Sequence, residues 1–223
     1  IVSIHSEDEE ILNLRKKFIK KGDVHSHPEW RNSETAMSST RRVVKIAERY
    51  NKKIHVLHVT TKEEVDFLAM HKKNVTFETT PQHLTLYAPD CYDKLGTYAQ
   101  MNPPLRSKDD IDELYKGLED GTIDVISSFH QPQDFDSKNC EFEKASFGII
   151  SLQTFYSNIL ELSRNISFDS LIDKFTINPR KILGIEVPEI SEGSFSSLTI
   201  LDEEGSWDYN ELTNLSKSSN SPW

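Results

Sequence analysis

The sequence lacks the marks of several protein classes. It has only two cysteines, Cys91 and Cys140, far apart and in no zinc-finger spacing. A disulfide framework is thereby excluded, and a reducing cytosol is the expected setting. No apolar run approaches the roughly 20 residues of a membrane helix. No basic stripe interrupts a formal charge of −10, from 26 Lys and Arg against 36 Asp and Glu, which argues against a general nucleic-acid surface. No glycine-rich phosphate loop follows any strand-like run, which counts against a nucleotide-binding sheet. Initiator Met, signal peptide and internal repeat are also missing. The chain opens directly on "IVSIHSEDEE" and stops in the Ser/Asn-rich "SKSSNSPW". The expectation is a fragment of a longer protein.

What is present suits a globular chain: 36% hydrophobic and 28% charged residues. Strand-length apolar runs occur at 1–5, 54–60, 75–79 and 123–128. Helical patterns alternate with them. "EDEEILNLRKKFIKK" and "SETAMSSTRRVVKIAERY" follow the first run, the latter with Val43, Val44, Ala47 and Tyr50 on one face. Thr60 with Glu63, or Thr61 with Glu64, can cap "KEEVDFLAMHKK", and Ser107 with Asp110 can cap "KDDIDELYKGLEDG". A long amphipathic stretch, "KASFGIISLQTFYSNILELSR", follows the fourth run. Such alternation predicts an α/β fold with parallel strands and right-handed crossovers. Four units are half of a TIM-type β/α barrel. From residue 186 the texture becomes short, alternating and rich in Ser and Gly. Residues 1–185 are therefore read as the half-barrel and 186–223 as part of a small β-sandwich.

In a barrel, chemistry collects at the C-terminal ends of the strands. His5 ends the first run and His58 nears the end of the second; neutral imidazoles there are standard divalent-metal ligands. For either alone, a hydrogen-bonded core histidine is the simpler reading, and the pair at one height raises the case for ligation. Alternation places His58 with Ile54 and Val56 on the inner face, and His55 on the outer face against helices. Ile54, Val56, Val125 and Phe129 are the expected inner apolar face. "HSHPEWR" reads as a loop fixed by Pro28 and anchored by Trp30, and His71 as a solvated helix residue. Glu78 either orients a ligand or orders a loop. Asn102, held before two prolines, offers a donor and an acceptor to an amide-like substrate. Arg106 is expected to pair with a carboxylate.

Seven segments in order, "IHSEDE", "HPEWR", "IHVLHVTT", "FETTPQHL", "YAQMNPPLR", "SSFHQPQ" and "NPRKILGI", resemble the dihydroorotases of the cyclic amidohydrolase family. The resemblance implies a metal-bearing β/α barrel with a small β-sandwich built from both chain ends. By it, these strands are the fifth to eighth of the barrel. It implies zinc as the metal, with His5 and His58 as the two histidine ligands of one metal position and Asn102 on the pyrimidine ring. It also implies reversible cyclisation of N-carbamoyl-aspartate to dihydroorotate, a homo-oligomer, and aspartate carbamoyltransferase as a partner. In the family an Asp at the end of the eighth strand ligates metal and carries the proton. Where the family has Thr-Asp-His-Ala-Pro-His, this chain reads Ser128-Phe129-His130-Gln131-Pro132-Gln133. Phe129 can do neither job of the Asp, and Gln133 replaces a His that holds the substrate carboxylate. The His-x-His pair of the first barrel strand is outside the chain. Three readings stand: a zinc-dependent dihydroorotase, a non-catalytic scaffold or regulator, and a related amidohydrolase acting on allantoin or hydantoin. Asp134 or Asp136 is a candidate substitute for the missing acid.

Overall fold

Each of the four apolar runs supplies a strand of one parallel sheet in a computed structural model that describes residues 1–195, 197–202 and 204–223. The strands are β1 (Val2–Ile4), β2 (Ile54–Val56), β3 (Val75–Thr79) and β4 (Val125–Ile126), adjacent in chain order. The register pairs Ile4 with Val56, Val56 with Phe77, and Glu78 with Val125. Between β1 and β2 run α1 (Glu9–Arg15), α2 (Ser26–Trp30) and α3 (Ser33–Arg49); α4 (Lys62–Ala69) crosses to β3. Then come α5 (Pro81–Thr85), α6 (Asp90–Leu95) and α7 (Lys108–Glu119) before β4, and α8 (Phe135–Lys138), α9 (Phe155–Leu162), α10 (Phe168–Phe175) and α11 (Ile177–Leu183) after it. This is an arc of four β/α units, as the alternation predicts.

The helix starts follow from their caps. Asp8, Asn32 and Thr61 accept first-turn amides of α1, α3 and α4. Ser107 and Asp110 complete a reciprocal capping box on α7. One core joins Ile54, Val56, Val75, Phe77 and Ile126 of the sheet to Val44, Ala47, Val65, Leu68, Leu114 and Leu118 of the helices.

That core reverses the expected faces. Ile54 and Val56 point to the helices, whereas His55 lies on the helix-free face with Thr76 and Glu78. The inference failed because alternation does not persist to His58. β2 ends at Val56, and His58 has φ +37°, a left-handed turn that re-aims its side chain. Tyr50 also leaves the buried stripe of α3 and is exposed.

One further expectation changes. The stretch 144–164 is helical only from Phe155, because its first part bonds to other loops. Gly148 N–H donates to Gln100 O, and Ile150 N–H to Asn220 O. In 186–223 no strand forms among the described residues. Phe195 and Ile200 are 92% and 97% exposed. An alternating segment becomes a strand only against a paired neighbour, and no described segment pairs with this one.

Candidate active site

His5 and His58 meet at the C-terminal ends of β1 and β2. His5 Nδ1 and His58 Nε2 are 3.0 Å apart, with ring centroids at 4.7 Å. Burial pushes His58 down to about 3, helped by the neighbouring His5 and His83, so its imidazole is neutral. On the far side of His5, Nε2 donates to Glu7 Oε2 at 2.9 Å. Glu7 is buried and also receives Arg31 through Nε and Nη2. Desolvation opposes its charge, but the bonds from His5 and Arg31 win and hold its carboxyl down at about 2. Glu7 thus orients His5, a role the sequence reading did not assign.

Phe129 completes this corner. Its ring lies edge-on to His58, with centroids 4.6 Å apart, and its backbone has φ +47°. Asp134 and Asp136 do not fill in for the missing acid. Both are exposed at the start of α8, and neither hydrogen-bonds His5 or His58. Gln133 is spent on structure: its Nε2 donates to Phe147 O at 2.9 Å and its N–H to Ser218 Oγ at 3.1 Å.

Asn102 is joined to His27, whose segment the sequence predicts as an anchored loop. His27 Nε2 and Asn102 Oδ1 are 3.0 Å apart. His27 is fully buried on α2 and stacks on Phe147 at 5.4 Å and 16°. Burial, then the Arg31 charge, push His27 down to about 3. Arg31 also lies over the Phe147 ring at 5.7 Å, which links the His5 corner to the Asn102 corner.

The remaining candidates are each held by hydrogen bonds of their own. His55 bonds Thr76 at 2.9 Å and Glu78 at 3.1 Å, and Ser127 Oγ donates to Glu78 at 2.7 Å. His83 is held by Thr80 and by Pro103 O. His71 is paired with Glu48 at 2.7 Å. Arg106, expected to pair with a carboxylate, forms no direct ion pair among the described residues and feels Glu7 and Glu64 only through their charge; buried, it donates to Thr60 Oγ1 at 3.1 Å and Arg31 O at 2.5 Å.

The donor set at His5 and His58 does not by itself fit a zinc ion. Catalytic zinc takes at least three protein ligands. Two imidazoles face each other here, Glu7 is engaged by His5 and Arg31, and the next side chain is the Phe129 ring. Among the described residues no cluster of three or more His, Cys, Asp or Glu is placed to hold a metal.

This parallel β/α arc, with ionisable groups at its C-terminal strand ends, is shared with solved hydantoinase and dihydroorotase structures. L-hydantoinase (dihydropyrimidinase) from Arthrobacter aurescens shares the fold, with TM-score 0.77 and 23% identity over 82% of this chain and 43% of that one. A dihydroorotase from Campylobacter jejuni does so with TM-score 0.64 and 18% identity over 84% and 49%.

Among proteins of that fold the chain is a relative of the dihydroorotases. It is 38% identical to the dihydroorotase of Elusimicrobium minutum over 189 residues, 82% of this chain and 44% of that protein. With the dihydroorotase of Aquifex aeolicus the identity is 39% over 183 residues, 79% and 43%. The chain spans less than half the length of these curated relatives. No protein-family model matches it.

Proposed function

We propose that this chain is the ring-binding half of a dihydroorotase-type cyclic amidohydrolase whose hydrolytic step is disabled. Its substrate class is a small cyclic amide, recognised in part by Asn102. The observation that carries the reading is the Phe129 ring packed on His58, at the place where the resemblance to dihydroorotases expects a carboxylate. Zinc would find His5 and His58 here, and its other ligands would come from outside this chain. A metal held there would supply Lewis-acid chemistry towards a ring amide. Of this chain's own residues, Glu7 fixes the His5 ring and Asn102 orients the substrate ring. Phe129 excludes water from the His58 side and can move no proton.

In this reading the protein belongs to pyrimidine synthesis in the cytosol, and residues 186–223 form part of the β-sandwich. The described residues contain no helix long and apolar enough to cross a membrane.

A second reading, a non-catalytic partner of aspartate carbamoyltransferase, gains support from Gln133. A loop whose former substrate-binding position is tied to Phe147 and Ser218 serves architecture. Metal content of the full-length protein, with a dihydroorotate assay, separates the readings. Metal with turnover supports an active enzyme. Ring binding without turnover supports the disabled site. Neither, with carbamoyltransferase co-purifying, supports the scaffold.

A further inference from the structure

We infer that His27 is a positioning residue that sets which end of the Asn102 amide faces the ligand, and so favours a hydrogen-bond acceptor there, such as the carbonyl of a cyclic ureide. The inference rests on the ring-binding reading of Asn102 given above.

Three observations lead to it. First, His27 Nε2 stands 3.0 Å from Asn102 Oδ1. Second, the imidazole cannot turn freely. It is fully buried, lies flat on Phe147, and meets Phe142 at 5.9 Å and Tyr92 at 6.4 Å. Third, Nδ1 is buried without a hydrogen-bond partner among the described residues.

A neutral imidazole carries one N–H. Placing it on Nδ1 would strand a buried donor and leave Nε2 bare against an amide oxygen, two lone pairs facing each other. Placing it on Nε2 makes one good bond and leaves only a bare acceptor at Nδ1. The second arrangement wins, because an unmet buried donor is the more costly orphan. Nε2–H therefore donates to Asn102 Oδ1. The Asn102 amide is then oriented: one lone pair of Oδ1 is taken by His27, and Nδ2 is left to donate. The sequence alone offered both a donor and an acceptor at this position. His27 turns the oxygen towards itself and biases the open side towards the Nδ2 donor.

The test uses the full-length protein with His27→Gln and His27→Phe variants. Side-chain ¹⁵N NMR of the unmodified protein is expected to show His27 as the neutral Nε2–H tautomer from pH 5 to 8; an Nδ1–H tautomer or an imidazolium would overturn the inference. This readout needs no ligand, so it decides the positioning claim even if ring binding itself fails. Calorimetric titration with dihydroorotate then reads the consequence. His27→Phe keeps a ring on Phe147 but has no donor, and should weaken binding about tenfold. His27→Gln keeps a donor and should stay within about threefold of the unmodified protein. Equal losses in both folded variants, or no loss in His27→Phe, contradict the proposal. Absence of any dihydroorotate binding by the unmodified protein would instead refute the ring-binding reading.

Discussion

Phe129 and His58 touch edge to face across the ends of β4 and β2, with ring planes at 68°, and both have left-handed backbones, φ +47° and +37°. A non-glycine residue in that region typically costs about 1–3 kcal/mol. Two such residues in contact mean that the surrounding loops dictate the geometry. Those loops are held by three features, each of which can be removed separately.

Gly148 is the closest packed. Its φ is +138°, and an added Cβ would lie 2.8 Å from both Cβ and O of Gln131. Gly148→Ala is expected to destabilise the protein by about 1–3 kcal/mol, through overpacking of the loop that carries Phe129. Urea denaturation of the pair of proteins measures this.

Asn220 fastens the C-terminal tail to the same loop. Its Nδ2 donates to Gln131 O at 2.9 Å and Gly148 O at 3.0 Å, and its Oδ1 accepts Gln133 N–H at 3.3 Å. Asn220→Ala leaves these buried groups unmet and should cost about 1–3 kcal/mol. Limited proteolysis should then cut near 129–133 faster than in the unmodified protein. The exposed neighbour Ser219→Ala should change stability by less than about 0.5 kcal/mol.

Lys138 ties the Asn102 segment to the Phe147 segment, donating from Nζ to Gln100 O at 2.7 Å and Ser146 O at 3.1 Å. Burial pushes its amine down to about 7 from 10.5. Between those values the unfolded chain binds more protons than the folded one, so this group's contribution rises with pH. It is fully present above about 10.5 and lost as pH falls to 7. Relative to Lys138→Met, the unmodified protein should gain on the order of 3–5 kcal/mol across that window. Denaturation midpoints at a series of pH values read the difference. A flat difference would show that the amine is not desolvated.

Much of the fold was legible because local signals agreed. Thr61, Ser107 and Asp110 cap the helices their spacing announces, and the four apolar runs pair in chain order. The His5–His58 contact was legible as a shared strand-end height. The faces of β2 were not, because a single left-handed residue resets the alternation and no residue type at 58 announces it. His27 was missed for another reason. Its partner Asn102 is 75 residues away, and only the tertiary fold brings them together. A buried histidine at such a helix start carries no period or motif of its own. The alternation from residue 186 was read as strands, but alternation states only which side chains could share a face, not what pairs with the backbone.

In the proposed function Phe129 stands where turnover needs an acid. Losing a general acid or base costs about 10²–10⁴-fold in rate. The direct measurement is a steady-state dihydroorotate assay of the zinc-supplemented full-length protein beside Phe129→Asp and Phe129→Asp/Gln133→His. Little or no turnover by the unmodified protein and a gain of activity in the double variant are expected. Robust turnover by the unmodified protein, unaffected by Asp134→Asn and Asp136→Asn, would contradict the proposed function.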